Sequence, residues 1–436
     1  VSLKNKGKQM NQEVFIVDGS RTPFLKSQNT PGPFSAADLA TSAGRELLLR
    51  NQLDPTSLGE VVLGCVIPGT EEANIARVVS LRLGCGDKVL GYTVQRNCAS
   101  GLQAIDSAVK DIQLGRHDLV LAGGTEAMSR APLLFNQKMV RWFCAQMKAR
   151  TLGEKLKNLV RFRPALLVPE IALLKGLTDP STKLSMGQTA EELAHQFSIS
   201  RAEMDAYAVQ SHQRALQATQ ENKSHFISPL YGKNGKVFTC DDGVREDSSV
   251  ERLAKLKPFF DKRFGSVTAG NSSQISDGAA LLLLASKKAV KEHQLPVLGK
   301  IVGTEWAGVA PKVMGIGPVH AITALLEREK MAFDNIDCWE INEAFAVQVL
   351  ACQKALNSAE YCKEHFDLDN PVGEIVMEKL NAEGGAIALG HPVGASGARL
   401  VLQVLQVLER KNQRHGIASL CIGGGLGGAM LIERMS

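Results

Sequence analysis

Two stretches far apart in the chain carry the same elements in the same order, and this repetition restricts the fold more than any other feature. Cys98-Ala99-Ser100-Gly101 opens a helical stretch with apolar Leu102, Ile105, Ala108, Val109 and Ile112. Gly115 ends it, and a short strand from 119 to 122 runs into Gly123-Gly124. Late in the chain, Gly394-Ala395-Ser396-Gly397 opens a helix with Leu400, Val401, Val404 and Leu408. A strand from 417 to 421 then runs into Gly423-Gly424-Gly425. Helical apolar spacing followed by a short apolar run predicts a helix and then a buried strand in both places. Earlier elements echo as well, with opening strands at 14–17 and 298–302 and later ones at 61–63 and 336–341. The pattern reads as a duplicated α/β unit. The other reading is that any α/β chain offers matches of this kind.

A chain of 436 residues is too long for one hydrophobic core. An apolar fraction of 44% with only 5% aromatic residues suits aliphatic strands and Ala/Leu helices. The net charge of +5 is too small to argue for nucleic acid, and a ligand with several phosphates explains it equally well. The nine cysteines include no CxxC pair and no Cys/His cluster with zinc spacing. They read as reduced thiols, and no metal site is expected. The stretch from Val1 to Gln12 is polar, with Lys4, Lys6 and Lys8, and no apolar segment follows as a secretory signal requires. The apolar runs at 165–174 and 279–285 are too short to span a bilayer. A cytoplasmic protein is expected, with at most a peripheral membrane contact.

Residues 131–274 differ from both halves. They contain Pro132, Pro164, Pro169 and Pro180 and a helical region with Trp142, Phe143, Met147, Leu152, Leu156 and Val160. The same region carries Lys138, Arg141, Lys148, Arg150, Lys155, Lys157, Arg161 and Arg163. A basic amphipathic helix can lie on a membrane surface or bind a partner, and it can equally be a solvated face. The expected division is therefore 11–130 with 275–296, an inserted loop domain at 131–274, and 297–436.

Four segments carry the candidate chemistry: Asn97-Cys98-Ala99-Ser100-Gly101, Asn342-Glu343-Ala344-Phe345, Gly390-His391-Pro392 and Cys421-Ile422-Gly423. A thiol, an imidazole and a second thiol are what Claisen chemistry on a thioester requires. Cys98 precedes a helix start, where the dipole and free amides are expected to lower its pKa; a buried structural cysteine is the plainer reading. His391 suits a general base for that thiol, or a turn histidine. Cys421 ends a strand and reads as core, although the glycines after it free backbone amides for an oxyanion. Asn342 can orient a water or cap a turn, and Glu343 beside it is the weaker candidate. No GxGxxG follows the first strand and no GxxxxGK[ST] occurs, which disfavours a dinucleotide or P-loop site.

At these residues the chain resembles the thiolases. The matching segments are QRNCASGLQA around Cys98, NEAFA at 342–346, GGAIALGHPVGASGAR at 384–399, CIGGGLGGA at 421–429 and SVTAGNSSQISDGAA at 266–280. The resemblance implies two βαβαβαββ halves, layered α-β-α-β-α, with an inserted loop domain. It implies thiolytic cleavage of 3-ketoacyl-CoA to acyl-CoA and acetyl-CoA, as in fatty-acid β-oxidation, with acetoacetyl-CoA synthesis from two acetyl-CoA as the alternative. Coenzyme A and acyl-CoA would be substrates, with no bound cofactor. Cys98 would be acylated, His391 would activate it, and Cys421 would exchange the α-carbon proton. Asn342, through a water, and His391 would bind the acetyl-CoA thioester oxygen, while the amides of Cys98 and Gly423 would hold the acyl oxygen. Met186, Ala269, Ser273 and Phe345 would line the coenzyme A tunnel. A homodimer or tetramer is implied. The stretch at 133–180 resembles the β-subunit of trifunctional β-oxidation complexes, so a hydratase/dehydrogenase α-subunit or a membrane surface would be its partner. Many thiolases have His where this chain has Ser185. A ketoacyl-carrier-protein synthase would share the fold but leave Cys421 idle, and a silent binding module would be expected to lose Cys98.

Overall fold

The computed structural model describes residues 12–28, 30–221 and 225–435, so the stretch with Lys4, Lys6 and Lys8 lies outside the described residues. The first half runs β1 (Val14–Arg21), α1 (Ala36–Arg50), β2 (Glu60–Gly64), α2 (Ile75–Arg82), β3 (Leu90–Val94), α3 (Ser100–Gln113) and β4 (Leu119–Ala127). The loop region follows, with α4 (Gln137–Lys148), α5 (Leu152–Val160), α6 (Met186–Gln196) and α7 (Arg201–Gln220), before β5 (Ser276–Ser286) completes the half. The second half runs β6 (Gly299–Gly308), α8 (Gly317–Glu329), β7 (Cys338–Ile341), α9 (Ala346–Leu356), α10 (Ser396–Arg410), β8 (His415–Ile422) and β9 (Leu426–Arg434).

The duplication is visible in the strand pairing. The first half orders its strands β1-β5-β4-β2-β3, and the second orders its own β6-β9-β8-β7. In both, the opening strand pairs antiparallel with the last, the last two are antiparallel, and the remaining neighbours are parallel. A short antiparallel contact of β1 with β6, Phe15 opposite Lys300 and Ile16 opposite Gly299, joins the halves into one sheet.

One strand of the repeat is reduced. Where the first half has β3, the second has only an isolated parallel bridge between Trp339 and Leu380. The Asn381 side chain does the missing strand's work there: its Oδ1 accepts from Ile341 N and its Nδ2 donates to Ile341 O, both at 2.9 Å. Buried backbone groups need partners, and one amide side chain supplies two of them.

Strand alternation produces five layers. On β5, Leu282 and Leu284 face a core that includes Ile105 of α3 and Leu400 and Val404 of α10, while Leu281 and Leu283 face Leu39 and Leu47 of α1. Ile417 and Leu431 turn outward to Ile322 and Val349 of α8 and α9. Helices α3 and α10 therefore lie between the two sheet halves, which explains why α10 is buried from Ser396 to Leu408. Their N-termini approach through glycines: a Cβ on Gly397 would stand 2.5 Å from Leu102 N, and one on Gly101 would stand 2.7 Å from Gly394 O. This contact brings the segment around Cys98 and the segment around His391 to the same end of the central layer.

The basic region is a helical hairpin. Trp142 Nε1 on α4 donates to Asn158 O on α5 at 2.9 Å, and Leu133–Phe135 pairs with Pro169–Ile171 to close the stem. Among the described residues no helix is long and apolar enough to cross a membrane.

Candidate active site

Cys98 sits in the turn before α3, following Asn97 in the left-handed region at φ 45°. Asparagine tolerates that conformation, and its side chain uses it: Asn97 Nδ2 donates to Gly423 O at 2.7 Å. That bond pins the β8–β9 glycine turn beside the turn that holds Cys98, and Cys98 and Gly423 border one cavity. Gly64 at the end of β2 makes room for the arrangement, since a Cβ there would lie 2.3 Å from the Ser100 carbonyl carbon.

The thiol does not behave as its helix-start position predicts. Burial pushes its pKa above the ordinary 9.0, and the amides of Gly423 and Cys98 offset this only in part. Cys98 lies two residues before the first helical residue, so desolvation outweighs the dipole. The resting group is a thiol that needs a base.

His391 is buried, and its backbone N–H is held by Gln274 O at 3.1 Å. Its Nδ1 lies 2.6 Å from Ser396 Oγ, and the Ser396 hydroxyl donates to Pro392 O at 3.0 Å. With the hydroxyl proton committed, Nδ1–H must be the donor to Oγ, which leaves Nε2 as the free base. Asn342 Nδ2 approaches that Nε2 at 3.5 Å. Burial and the positive charge of Arg399 hold the His391 pKa down at about 3, so the imidazole is neutral at physiological pH.

Asn342 is fixed from behind. Its N–H donates to Ser419 O at 2.9 Å, and its Oδ1 lies 3.5 Å from Nη2 of Arg399, which is fully buried against Glu340 at 3.2 Å. Glu343 points elsewhere. Its carboxylate accepts from Tyr207 and Ser211 of α7, from Asn381 and from Ile387 N. It ties the loop region to the second half and takes no part in the site.

Cys421 is buried at the end of β8, opposite Gly427, and its pKa is raised well above 9.0 by burial and by the neighbouring Cys98. A cavity of about 330 Å³ opens on Cys98, Asn97, Gly423 and Met186. Met186 begins α6, and its Sδ would lie 3.1 Å from a Cβ on Gly423. The other expected tunnel residues form a separate strip: Ser272 bridges Phe345, Ser273 N donates to Ala344 O at 3.0 Å, and Ala269 is exposed. Ser185 is used as the N-cap of α6, accepting from Gln188 N at 3.3 Å.

The sequence reading did not anticipate two residues. Ser396, within the glycine-rich helix start, fixes the His391 tautomer. Glu126, an acid at the end of the otherwise apolar β4, accepts from Val66 N and Ile67 N at 2.9 Å and from Gly394 N at 3.0 Å. It clamps two loops that border the cavity. Burial pushes its carboxyl up to about 7, while these donors pull it the other way. A lone buried acid at a strand end was the available signal.

Comparison with known proteins identifies the family over nearly the whole chain. Residues 14–288 match the thiolase N-terminal domain and residues 295–434 the thiolase C-terminal domain. A 3-ketoacyl-CoA thiolase of Vibrio cholerae is 36% identical over 427 residues, 97% of each chain. A beta-ketoadipyl-CoA thiolase of Pseudomonas aeruginosa is 40% identical over 435 residues, 98% of this chain and 100% of the relative. Among solved structures, the Bacillus anthracis acetyl-CoA acetyltransferase superposes with a TM-score of 0.83 at 38% identity, covering 97% of this chain and 99% of the other. Human mitochondrial 3-ketoacyl-CoA thiolase in complex with CoA also gives 0.83, at 34% identity over 98% and 99% of the two chains. With both thiolase domains matched and full-length relatives above 30% identity, the chain belongs to the thiolase family.

Proposed function

We propose that this acyltransferase cleaves 3-ketoacyl-CoA with coenzyme A through an acyl group carried on Cys98. The single observation that carries the proposal is the 2.7 Å bond from Asn97 Nδ2 to Gly423 O, which sets the Gly423 turn beside Cys98 on the wall of one cavity. The Cys98 sulfur attacks the 3-keto carbon, and His391 Nε2 takes the thiol proton. The amides of Cys98 and Gly423 hold the oxygen that becomes negative. The C2–C3 bond breaks, and Cys421 protonates the departing acetyl-CoA enolate at carbon. Coenzyme A thiol then attacks the acyl thioester and releases Cys98. The Asn342 amide and His391 bind the thioester oxygen of the acetyl-CoA unit. Two half-reactions on one sulfur give ping-pong kinetics, and the reverse direction joins two acetyl-CoA units with the same residues. The division into 11–130 with 275–296, 131–274 and 297–436 supports the reading, because each half contributes one thiol.

The test is to measure thiolysis and solvent-deuterium exchange into the acetyl-CoA methyl for wild type and Cys421→Ala. The wild type should do both, and the variant should lose exchange while still taking an acetyl group on Cys98. Exchange at the wild-type rate in the variant would remove Cys421 from the mechanism.

The assembly and location belong to the same proposal. The free outer edge of β3, with Leu90 exposed, supports strand addition by a second copy in a homodimer or a tetramer built from it. The protein is proposed to be cytoplasmic, with its basic hairpin on an anionic membrane. From 137 to 163 the hairpin carries eight exposed Lys and Arg residues and one acid, Glu154, beside exposed Phe143, Met147, Leu156 and Val160. Replacing Lys148, Arg150, Lys155 and Lys157 with Glu should abolish salt-sensitive sedimentation with anionic vesicles. No vesicle binding by the wild type, together with tight binding to a hydratase/dehydrogenase α-subunit, would assign the hairpin to that partner.

A further inference from the structure

The cavity on Cys98 lies apart from most of the residues expected along the coenzyme arm. Of the four residues expected along that arm, Met186 alone borders it, and the strip of Ala269, Ser273 and Phe345 does not. The apolar lining also includes Val66, Ile67, Met128, Val393, Leu173 and Leu177. The last two come from the turn of helix that follows the closing strand Pro169–Ile171. Leu177 N donates to Leu173 O at 3.0 Å, so the pair lies one helical turn apart on one face, while Leu174 points out to solvent. At about 330 Å³ the space lies near the lower end of small-molecule sites and suits a single chain.

The lining is informative about charge. Among the described residues that border the cavity there is no Lys, Arg or His. Its one acid, Asp179, is buried and its Oδ1 is already taken by Ser181 and Thr182, through both backbone N–H groups and both hydroxyls. A carboxylate at the end of an acyl chain would be desolvated here without a cation and close to a second negative charge. Relatives of both kinds resemble this chain, one named for 3-ketoacyl-CoA and one for the dicarboxylic beta-ketoadipyl-CoA.

We infer that this cavity holds the acyl tail and selects uncharged aliphatic 3-ketoacyl chains over carboxylate-ended ones, with Leu173 and Leu177 setting the length accepted. The inference rests on the thiolase reading above and assigns its substrate class. Each methylene buried adds up to roughly fourfold in kcat/KM (about 0.8 kcal/mol), until the chain meets the two leucines.

The experiment compares kcat/KM for thiolysis of acetoacetyl-CoA, 3-ketodecanoyl-CoA and 3-ketoadipyl-CoA by the full-length wild type, Leu177→Trp, Leu173→Trp and Leu177→Arg. The wild type should prefer 3-ketodecanoyl-CoA over 3-ketoadipyl-CoA by at least about tenfold. Either Trp variant should lower the 3-ketodecanoyl to acetoacetyl ratio by about tenfold or more, mainly through KM. Leu177→Arg should narrow the preference against 3-ketoadipyl-CoA. A wild type that favours 3-ketoadipyl-CoA overturns the inference. So does an unchanged chain-length ratio in whichever Trp variant melts like the wild type. Failure of the folded wild type to cleave any of the three overturns the thiolase reading, and this inference with it.

Discussion

His391 Nδ1 stands 2.6 Å from a Ser396 hydroxyl whose own proton is given to Pro392 O. A serine five residues along the chain thus decides which imidazole nitrogen is basic. The relationship is local in sequence and needs only the tight entry into α10, whose first helical residue is Ser396 itself.

Ser396→Ala removes that acceptor and leaves a buried N–H without a partner, at a cost of about 1–3 kcal/mol. The imidazole is then free to reverse its tautomer. kcat should fall by roughly tenfold or more with KM little changed, because the general base rather than substrate binding is affected. Steady-state kinetics beside a thermal melt check this. An unchanged kcat would mean that Ser396 does not orient His391.

Neither Cys98 nor His391 titrates in the neutral range. The His391 imidazole is neutral down to about pH 3, and the Cys98 thiol is protonated up to above 9.0. For the free thiol, a raised pKa means that the thiolate fraction keeps rising with pH through 9. Alkylation of Cys98 by iodoacetamide should therefore accelerate steadily from pH 7 to 9.5, with no plateau near neutrality. The acid limb of kcat/KM should show no inflection near 6.5 from His391. A thiol titrating near 6, followed by the alkylation rate, would indicate a resting thiolate–imidazolium pair and contradict this account.

Glu126→Gln tests the loop clamp. Both carboxylate oxygens accept backbone N–H groups, so either orientation of the amide sets an NH₂ against a donor. Stability should fall by about 1–3 kcal/mol, and KM should rise as the 66–67 and 393–394 segments loosen. Urea unfolding and KM measured on the same sample check it. A fully stable variant with unchanged KM would show that the clamp is dispensable.

The strand–helix–strand rhythm and the duplication were legible because period-2 and period-3.6 spacings are local. The central position of α10 was not legible in that spacing, because Arg399, Gln403 and Gln406 look like a solvated face and are instead buried against Glu340 and Glu383. The reduced third strand was not legible: Asn381 replaces a strand through side-chain hydrogen bonds to Ile341, which no periodicity records. Three of the site segments could be read because glycines or a proline lie in or beside them, while Asn342 follows a strand with neither. The direction of the Cys98 shift could not, because it depends on burial supplied by residues hundreds of positions away. Glu343 lies next to Asn342 in sequence, yet it faces α7, and only the fold separates them.

The central claim is that Cys98 carries the acyl group, and intact-mass analysis after incubation with acetyl-CoA tests it most directly. The wild type should gain one acetyl group, mapped to the peptide containing Cys98, and lose it when coenzyme A is added. Cys98→Ser should gain none on the same timescale, because a hydroxyl is a far weaker acid than a thiol and the same imidazole yields far less of the nucleophilic anion. Acetylation of Cys98→Ser at the wild-type rate, or an acetyl group mapped to Cys421 instead, would contradict the account.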